Sequence, residues 1–227
     1  MSAIYLIRHG QASAGADDYD QLSPLGQQQA SHLGEDLARR GLRPAAVIAG
    51  SLRRHQQTAE HCLRGAGLAL DWQTLPQWNE YDHREILRTY NPAYHEISAL
   101  RAAISQHPEP MVFMKAELKA AFDRWLSGQY DDEYQESALA FRTRVQGALQ
   151  QLPPPEAGPV WVFTSGGPIT VVTQTLLGLE PRGLLSVNAR LVNAGVTKLV
   201  SGKGGYGLAT LNEHVAFEGR PQWITTI

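Results

Sequence analysis

Only one cysteine, Cys62, occurs in 227 residues. No internal disulfide framework can hold this chain together, and a reducing compartment suits it. No apolar run approaches the roughly 20 residues of a membrane-spanning helix, and no basic-then-apolar leader precedes the first apolar segment. Charge of one sign is missing as well. Against 22 Asp and Glu stand 20 Lys and Arg, a net of −2, which gives no field for a nucleic-acid or membrane surface. Neither partner is expected, a cytoplasmic location is the default, and an anionic ligand must be held by local charge. The phosphate loop GxxxxGKS/T is absent, so triphosphate chemistry of that type is not indicated. His32, His55, His61, His95 and His107 lack ligand spacing and read as structural, so no metal and no cofactor is expected. Internal repeats and low-complexity tracts are missing too.

What is present is ordinary for a globular chain: 43% hydrophobic and 19% charged residues, enough for one sizeable core and unlike disorder or coiled coil. Residues 4–7 (IYLI) read as a buried strand ending in Arg8, His9 and Gly10. Residues 11–21 are a polar loop. Ser23 and Pro24 then read as N-cap and first helical position, with Ala30, Leu33 and Leu37 on one face and a stop at Gly41. A second strand is expected over 45–49 and a helix carrying Arg53, Arg54, Gln57 and Thr58 up to Gly65. A third strand is expected over 68–75. Strands alternating with helices imply parallel βαβ units. Residues 83–135 read as a helical insertion over the sheet, a candidate lid, with Asn91 and Pro92 starting one helix. After Pro153, Pro154 and Pro155, a stiff connector, residues 160–163 (VWVF) form a fourth buried strand. It runs into Thr164, Ser165, Gly166, Gly167 and a helix. Two strands close the chain, over 190–200 and 206–212.

Chemistry gathers at the ends of these strands, where open α/β sheets place their ligands. The first offers Arg8 and His9. The fourth offers Ser165 and the start of a helix, whose amides and positive dipole end suit an anion. Arg53 or Arg54 opens another helix, and a guanidinium fork fits phosphate or carboxylate. Glu80 and Asp82 follow the third strand. Imidazole, guanidinium and carboxylate converging on a helix start make a phosphate-handling set.

Five blocks, in order, resemble the histidine phosphatase superfamily, the phosphoglycerate-mutase-like fold. They are LIRHGQAS (6–13), LSPLG with Gln29 and Ala30 (22–30), LRRHQQTA (52–59), EYD (80–82), and the closing strands with Asn193, Thr197 and NEHV (212–215). The resemblance implies a single three-layer α/β/α domain over 1–227 with a mostly parallel sheet and a helical lid. It implies a metal-independent phosphomonoester hydrolase that acts on a small phosphorylated metabolite and releases inorganic phosphate. His9 would be the nucleophile that becomes phosphorylated, Arg8 and Arg54 the phosphoryl clamps, and Glu80 the proton donor. Register picks Arg54 over Arg53.

Two departures stand out. Ser165 occupies the position where the family usually has a second histidine after the fourth strand. A neutral hydroxyl there is a weaker donor than a charged imidazole, so slow turnover or a degenerate site is the alternative: a phospholigand-binding or weakly active pseudophosphatase. Mutase chemistry needs a phosphoenzyme shielded from water and is expected less. The amides of Gly166 and Gly167, with Ser165 Oγ and Thr164, are candidates to compensate. Arg84 stands where the family often has glycine, and either contacts phosphate or pairs with Glu85. Gln11 and Ser13 are further candidates to hold substrate, and Asp82 is a second acid or a positioning group.

Overall fold

A computed structural model describes residues 3–13, 20–153, 157–202 and 204–226 of the chain. Residues 14–19 of the expected polar loop, and Pro154 and Pro155 of the expected stiff connector, lie outside it. The described residues form two compact units, one from 1–80 with 145–227 and one from 81–144.

The first unit is built on a six-stranded sheet. Its strands are β1 (Ala3–Arg8), β2 (Ala46–Ala49), β3 (Gln73–Thr74), β4 (Val160–Thr164), β5 (Val196–Gly202) and β6 (Gly205–Glu213), in the order β3-β2-β4-β1-β5-β6. The first four are mutually parallel, while β5 and β6 are antiparallel additions at one edge. The sheet is therefore mixed and mostly parallel, as the alternation of elements implies. β1 and β4 are buried along their whole length, as expected of strands covered on both faces. Successive side chains point to opposite faces. On one face Tyr5, Ile7, Val47, Ala49, Trp161 and Phe163 pack against Leu33 and Leu37 of α1 (Pro24–Arg39) and Ala59, Cys62 and Leu63 of α2 (Arg53–Gly65).

Local signals fix the helix ends. Ser23 caps α1 by accepting from Gly26 N, and Pro24 follows at its first position. α7 (Gly166–Leu177) ends on Gly178 at φ +63, a left-handed conformation glycine adopts without penalty. The third strand is shorter than the sequence suggests. Only Gln73 and Thr74 pair with β2, and both are exposed, because an edge strand has neither a second neighbour nor a covered face to extend it. Of the closing strands, β5 starts later than expected, at Val196, whereas β6 (Gly205–Glu213) extends one residue beyond its expected range at each end.

The second unit is helical. It contains α3 (His83–Tyr90), α4 (Ile97–Gln106), α5 (Pro110–Leu126) and the first half of α6 (Ala138–Gln150). Asn91 and Pro92 begin a short 3-10 turn, Pro92–His95, rather than a full helix. The unit's interior is aromatic. The Tyr81 ring lies 5.2 Å from Phe122, 5.4 Å from Trp125 and 5.4 Å from Phe141, centroid to centroid. α8 (Leu184–Asn188) belongs to the first unit. Among the described residues no helix is long and apolar enough to cross a membrane.

Candidate active site

Strand register brings the motif residues together. Parallel pairing sets Arg8 of β1 opposite Thr164 of β4, and His9 N donates to Thr164 O at 2.9 Å. The corner after β1 and the corner after β4 therefore leave the sheet side by side. β2 pairs with β4 on the other flank, and Gly50 N donates to Phe163 O at 3.0 Å. This delivers the start of α2 to the same place. Leu75 N donates to Ala49 O at 2.8 Å, and the chain then runs through a 3-10 turn, Pro76–Trp78, to Glu80.

His9 is 6% exposed. Its Nδ1 lies 2.7 Å from Gly10 O. A carbonyl can only accept, so the neutral ring carries its proton on Nδ1 and presents a lone pair on Nε2. Burial, then the charges of Arg54 and Arg8, then His55 push the His9 pKa well below its ordinary value, against the smaller raising effect of the Gly10 carbonyl. The ring is thus kept neutral. Its backbone carbonyl is held by Ala194 N and by Asn193 Nδ2, each at 3.2 Å. Gly10 N donates to Thr58 Oγ1 at 3.0 Å, and Thr58 donates in turn to Arg54 O at 2.6 Å. Gly10 passes so close to α1 that a Cβ on it would lie 2.3 Å from Gly26 O, and one on Gly26 would lie 2.1 Å from Gln11 O.

Both arginines are tied down. Arg8 donates through Nη1 to Leu191 O and, at 3.0 Å, to Thr226 O. Arg54 donates from Nη1 to Asp20 Oδ1 at 2.6 Å, and Asp20 Oδ2 accepts from Arg53 N at 2.8 Å, capping α2. The polar loop up to Asp20 is a candidate to hold substrate from the sequence, but the pairing of Asp20 with Arg54 is not readable there, since a carboxylate in a polar loop carries no signal of the cation it meets. Arg53 contributes its backbone to this corner, in keeping with Arg54 as the residue picked by register.

Glu80 Oε2 accepts from Gly167 N at 3.1 Å. The amide of the α7 start expected to face an anion is thus met by this chain's own carboxylate. Thr164 Oγ1 donates to Trp78 O at 2.5 Å, so this hydroxyl is committed elsewhere and does not compensate at position 165. Ser165 is fully buried and makes no side-chain cap to α7. Instead its Oγ lies 2.6 Å from Nε2 of His55. His55, read from the sequence as structural, is fully buried in the first turn of α2, 5.9 Å from His9 between ring centroids. The signal that could have found it is paired: an imidazole within the LRRHQQTA block, and a hydroxyl at Ser165 where the family usually has its second histidine.

Other predicted residues have mixed placements. Gln11 Oε1 accepts from Ser23 Oγ at 2.8 Å, and Ser13 N donates to Gln21 O at 2.8 Å. Gln29 and Gln57 are braces: their Oε1 atoms accept from Gln11 N and Leu22 N, each at 2.8 Å. Asp82 and Arg84 belong to the second unit. Asp82 is the N-cap of α3, accepting from Arg84 N and Glu85 N. Arg84 is exposed and does not pair with Glu85, whose Oε1 accepts from Gln135 N. The backbone bond satisfies that buried carboxylate, so the expected Arg84–Glu85 pair does not form. Among the described residues no group of three or more His, Cys, Asp or Glu side chains could hold a metal ion.

Solved structures with this fold share little sequence with the chain. A phosphoglycerate mutase from Bacillus anthracis str. Sterne is 18% identical, with a TM-score of 0.65 over 95% of this chain and 94% of that one. A mycobacterial glucosyl-3-phosphoglycerate phosphatase in complex with inorganic phosphate is 20% identical, with a TM-score of 0.64 over 95% and 99%. A mutant phosphoserine phosphatase from Entamoeba histolytica in complex with phosphoserine is 17% identical, with a TM-score of 0.62 over 93% and 97%. No curated protein sequence gives a significant match. A family model, described as histidine phosphatase superfamily (branch 1), matches residues 4–214. That match runs nearly the whole length, and His9 is buried beside Arg8 and Arg54 at the end of β1: the chain belongs to the histidine phosphatase superfamily.

Proposed function

We propose that the protein is a metal-independent phosphomonoesterase that hydrolyses a small phosphorylated metabolite through a phosphohistidine at His9. The observation that carries this reading is the His9 Nδ1–Gly10 O contact of 2.7 Å, which leaves the Nε2 lone pair for phosphorus. Burial and two neighbouring guanidinium groups keep that lone pair unprotonated. In the reaction Nε2 attacks the phosphoryl group in line and the ester P–O bond breaks. Arg8 and Arg54 stabilise charge on the equatorial oxygens. Glu80, held at the start of α7, delivers a proton to the departing alkoxide. As carboxylate it then takes one from the water that cleaves the P–N bond, releasing inorganic phosphate and restoring neutral His9. Phosphate-bearing complexes among the structural relatives agree with a small phosphorylated substrate.

The test is a phosphatase screen over aryl phosphate and a panel of phosphorylated metabolites, with His9→Ala as the blank. Turnover that disappears in the variant, together with acid-labile phosphate on His9 of the wild type, is the expected result. Ser165 favours a second reading, a pseudophosphatase that binds phosphate without turning it over. Inert wild type that still binds phosphate would select it.

A further inference from the structure

We propose that His55 and Ser165 act as one hydrogen-bonded unit, in which the His55 imidazole orients the Ser165 hydroxyl to donate its hydrogen to a phosphoryl oxygen. The imidazole lacking after β4 is thereby supplied from α2, one helix away. This rests on the phosphohydrolase reading for its substrate, but its geometry stands on its own.

The placement is tight. Both side chains are fully buried, and Nε2 and Oγ are 2.6 Å apart. The far side of the ring is pressed against Gly50, where a Cβ would lie 2.2 Å from Nδ1 and 3.0 Å from Cε1. Glycine at position 50 therefore makes room for the imidazole and keeps it turned toward Ser165. Nδ1 is buried with no hydrogen-bond partner. This decides the tautomer. A proton on Nδ1 would be an orphaned buried N–H, which folded proteins avoid more strictly than an under-used acceptor. The proton therefore sits on Nε2 and is donated to Ser165 Oγ.

An Oγ that accepts from His55 must send its own hydrogen elsewhere. Among the described residues Ser165 makes no other side-chain hydrogen bond, and it does not cap α7. Its remaining hydrogen has no acceptor among the described residues. Ser165 immediately precedes Gly166 and Gly167, whose second amide donates to the Glu80 carboxylate, and its partner ring is 5.9 Å from His9. A phosphoryl oxygen on a group attacked by His9 is the acceptor chemistry this corner provides for. Ser165 is then a catalytic residue and His55 a positioning residue.

The two roles separate experimentally. On aryl phosphate, Ser165→Ala lowers kcat by about 100-fold, the scale of one lost transition-state donor. His55→Ala does nearly the same, and the double variant is no worse than either single by more than about twofold, because the two residues share one interaction. His55→Gln, which returns an N–H near the Nε2 position, recovers most of the loss. A merely packed histidine would not show that recovery. Thermal melts of each variant confirm folding. Unchanged kcat in His55→Ala, or losses that multiply in the double variant, overturns the proposal.

A second measurement is independent of turnover. Nitrogen-15 NMR of histidine-labelled wild type is expected to show His55 protonated on Nε2, and inorganic phosphate is expected to bind about tenfold more weakly to Ser165→Ala. A proton on Nδ1, or unchanged phosphate affinity, refutes the pair. Inert wild type would sink the hydrolase reading alone, because the tautomer and the phosphate affinity are both read without turnover.

Discussion

Arg8 does two jobs with one side chain. Its guanidinium lies beside His9, and its Nη1 also ties down the carbonyls of Leu191 and Thr226. Arg8→Ala is therefore expected to abolish turnover and to lower stability by about 1–3 kcal/mol, since the buried Leu191 carbonyl loses its donor while the part-buried Thr226 carbonyl can turn to water. Urea unfolding checks this, and an unchanged midpoint would mean that water replaces the guanidinium at no cost. Gly50→Ala makes the complementary test from the other side of the site. Its Cβ, at 2.2 Å from His55 Nδ1, must displace the ring from Ser165, and turnover should fall as it does for His55→Ala. At this scale the sequence is informative where one residue type has one use. A buried strand ending in Arg8 and His9 is legible because charge rarely ends such a run without purpose. His55 is not legible, because what it touches depends on β4 lying beside the end of β2, and no local pattern encodes that neighbourhood. Arg54 is legible as a cation, but its Asp20 partner 34 positions away is not.

Elements meet at close quarters where glycine permits it. The turn after β1 rests on the first turn of α1: a Cβ on Gly10 would meet the Gly26 backbone, and one on Gly26 the Gln11 backbone. Backbone oxygen cannot swing aside like a side chain. Gly26→Ala should therefore cost about 1–3 kcal/mol of overpacking and loosen the turn that carries His9, read as a lower melting temperature and a raised KM. A melting temperature equal to wild type would show that α1 can slide outward freely. In the helical unit, Tyr81, Phe122, Trp125 and Phe141 form one ring cluster. Phe122→Ala should remove about 3–5 kcal/mol from that unit, checked by hydrogen exchange over 81–144. Central strands and capped helices are readable because burial and caps leave period and punctuation in the sequence. β3 is shorter than its apolar stretch suggests, because at a sheet edge that stretch has no partner to continue it. The helical stretch is readable as helical but not in its breaks: Pro92 starts a 3-10 turn there, since its ring and the Asn91 side chain favour a turn over a continued helix.

For the whole molecule, two buried imidazoles kept neutral make folding depend on pH. Burial, then Arg54, Arg8 and His55, lowers the His9 pKa, and burial followed by Arg54 lowers that of His55. In the unfolded chain both return to about 6.5. Well above that value neither state carries the protons, and the stability these residues support is present in full. As pH falls below about 6.5 the unfolded chain takes up two protons that the folded protein refuses, so stability falls with pH until the folded values are reached. Each group contributes a slope approaching about 1.4 kcal/mol per pH unit, so the pair approaches about 2.8. Urea midpoints at about pH 7.5, 6.5 and 5.5 should therefore change little across the first interval and drop across the second. His55→Gln should roughly halve the drop while leaving the first interval nearly flat. A drop of equal size in that variant would mean that His55 is charged in the folded protein. It could then no longer be the neutral donor that sets the Ser165 hydroxyl.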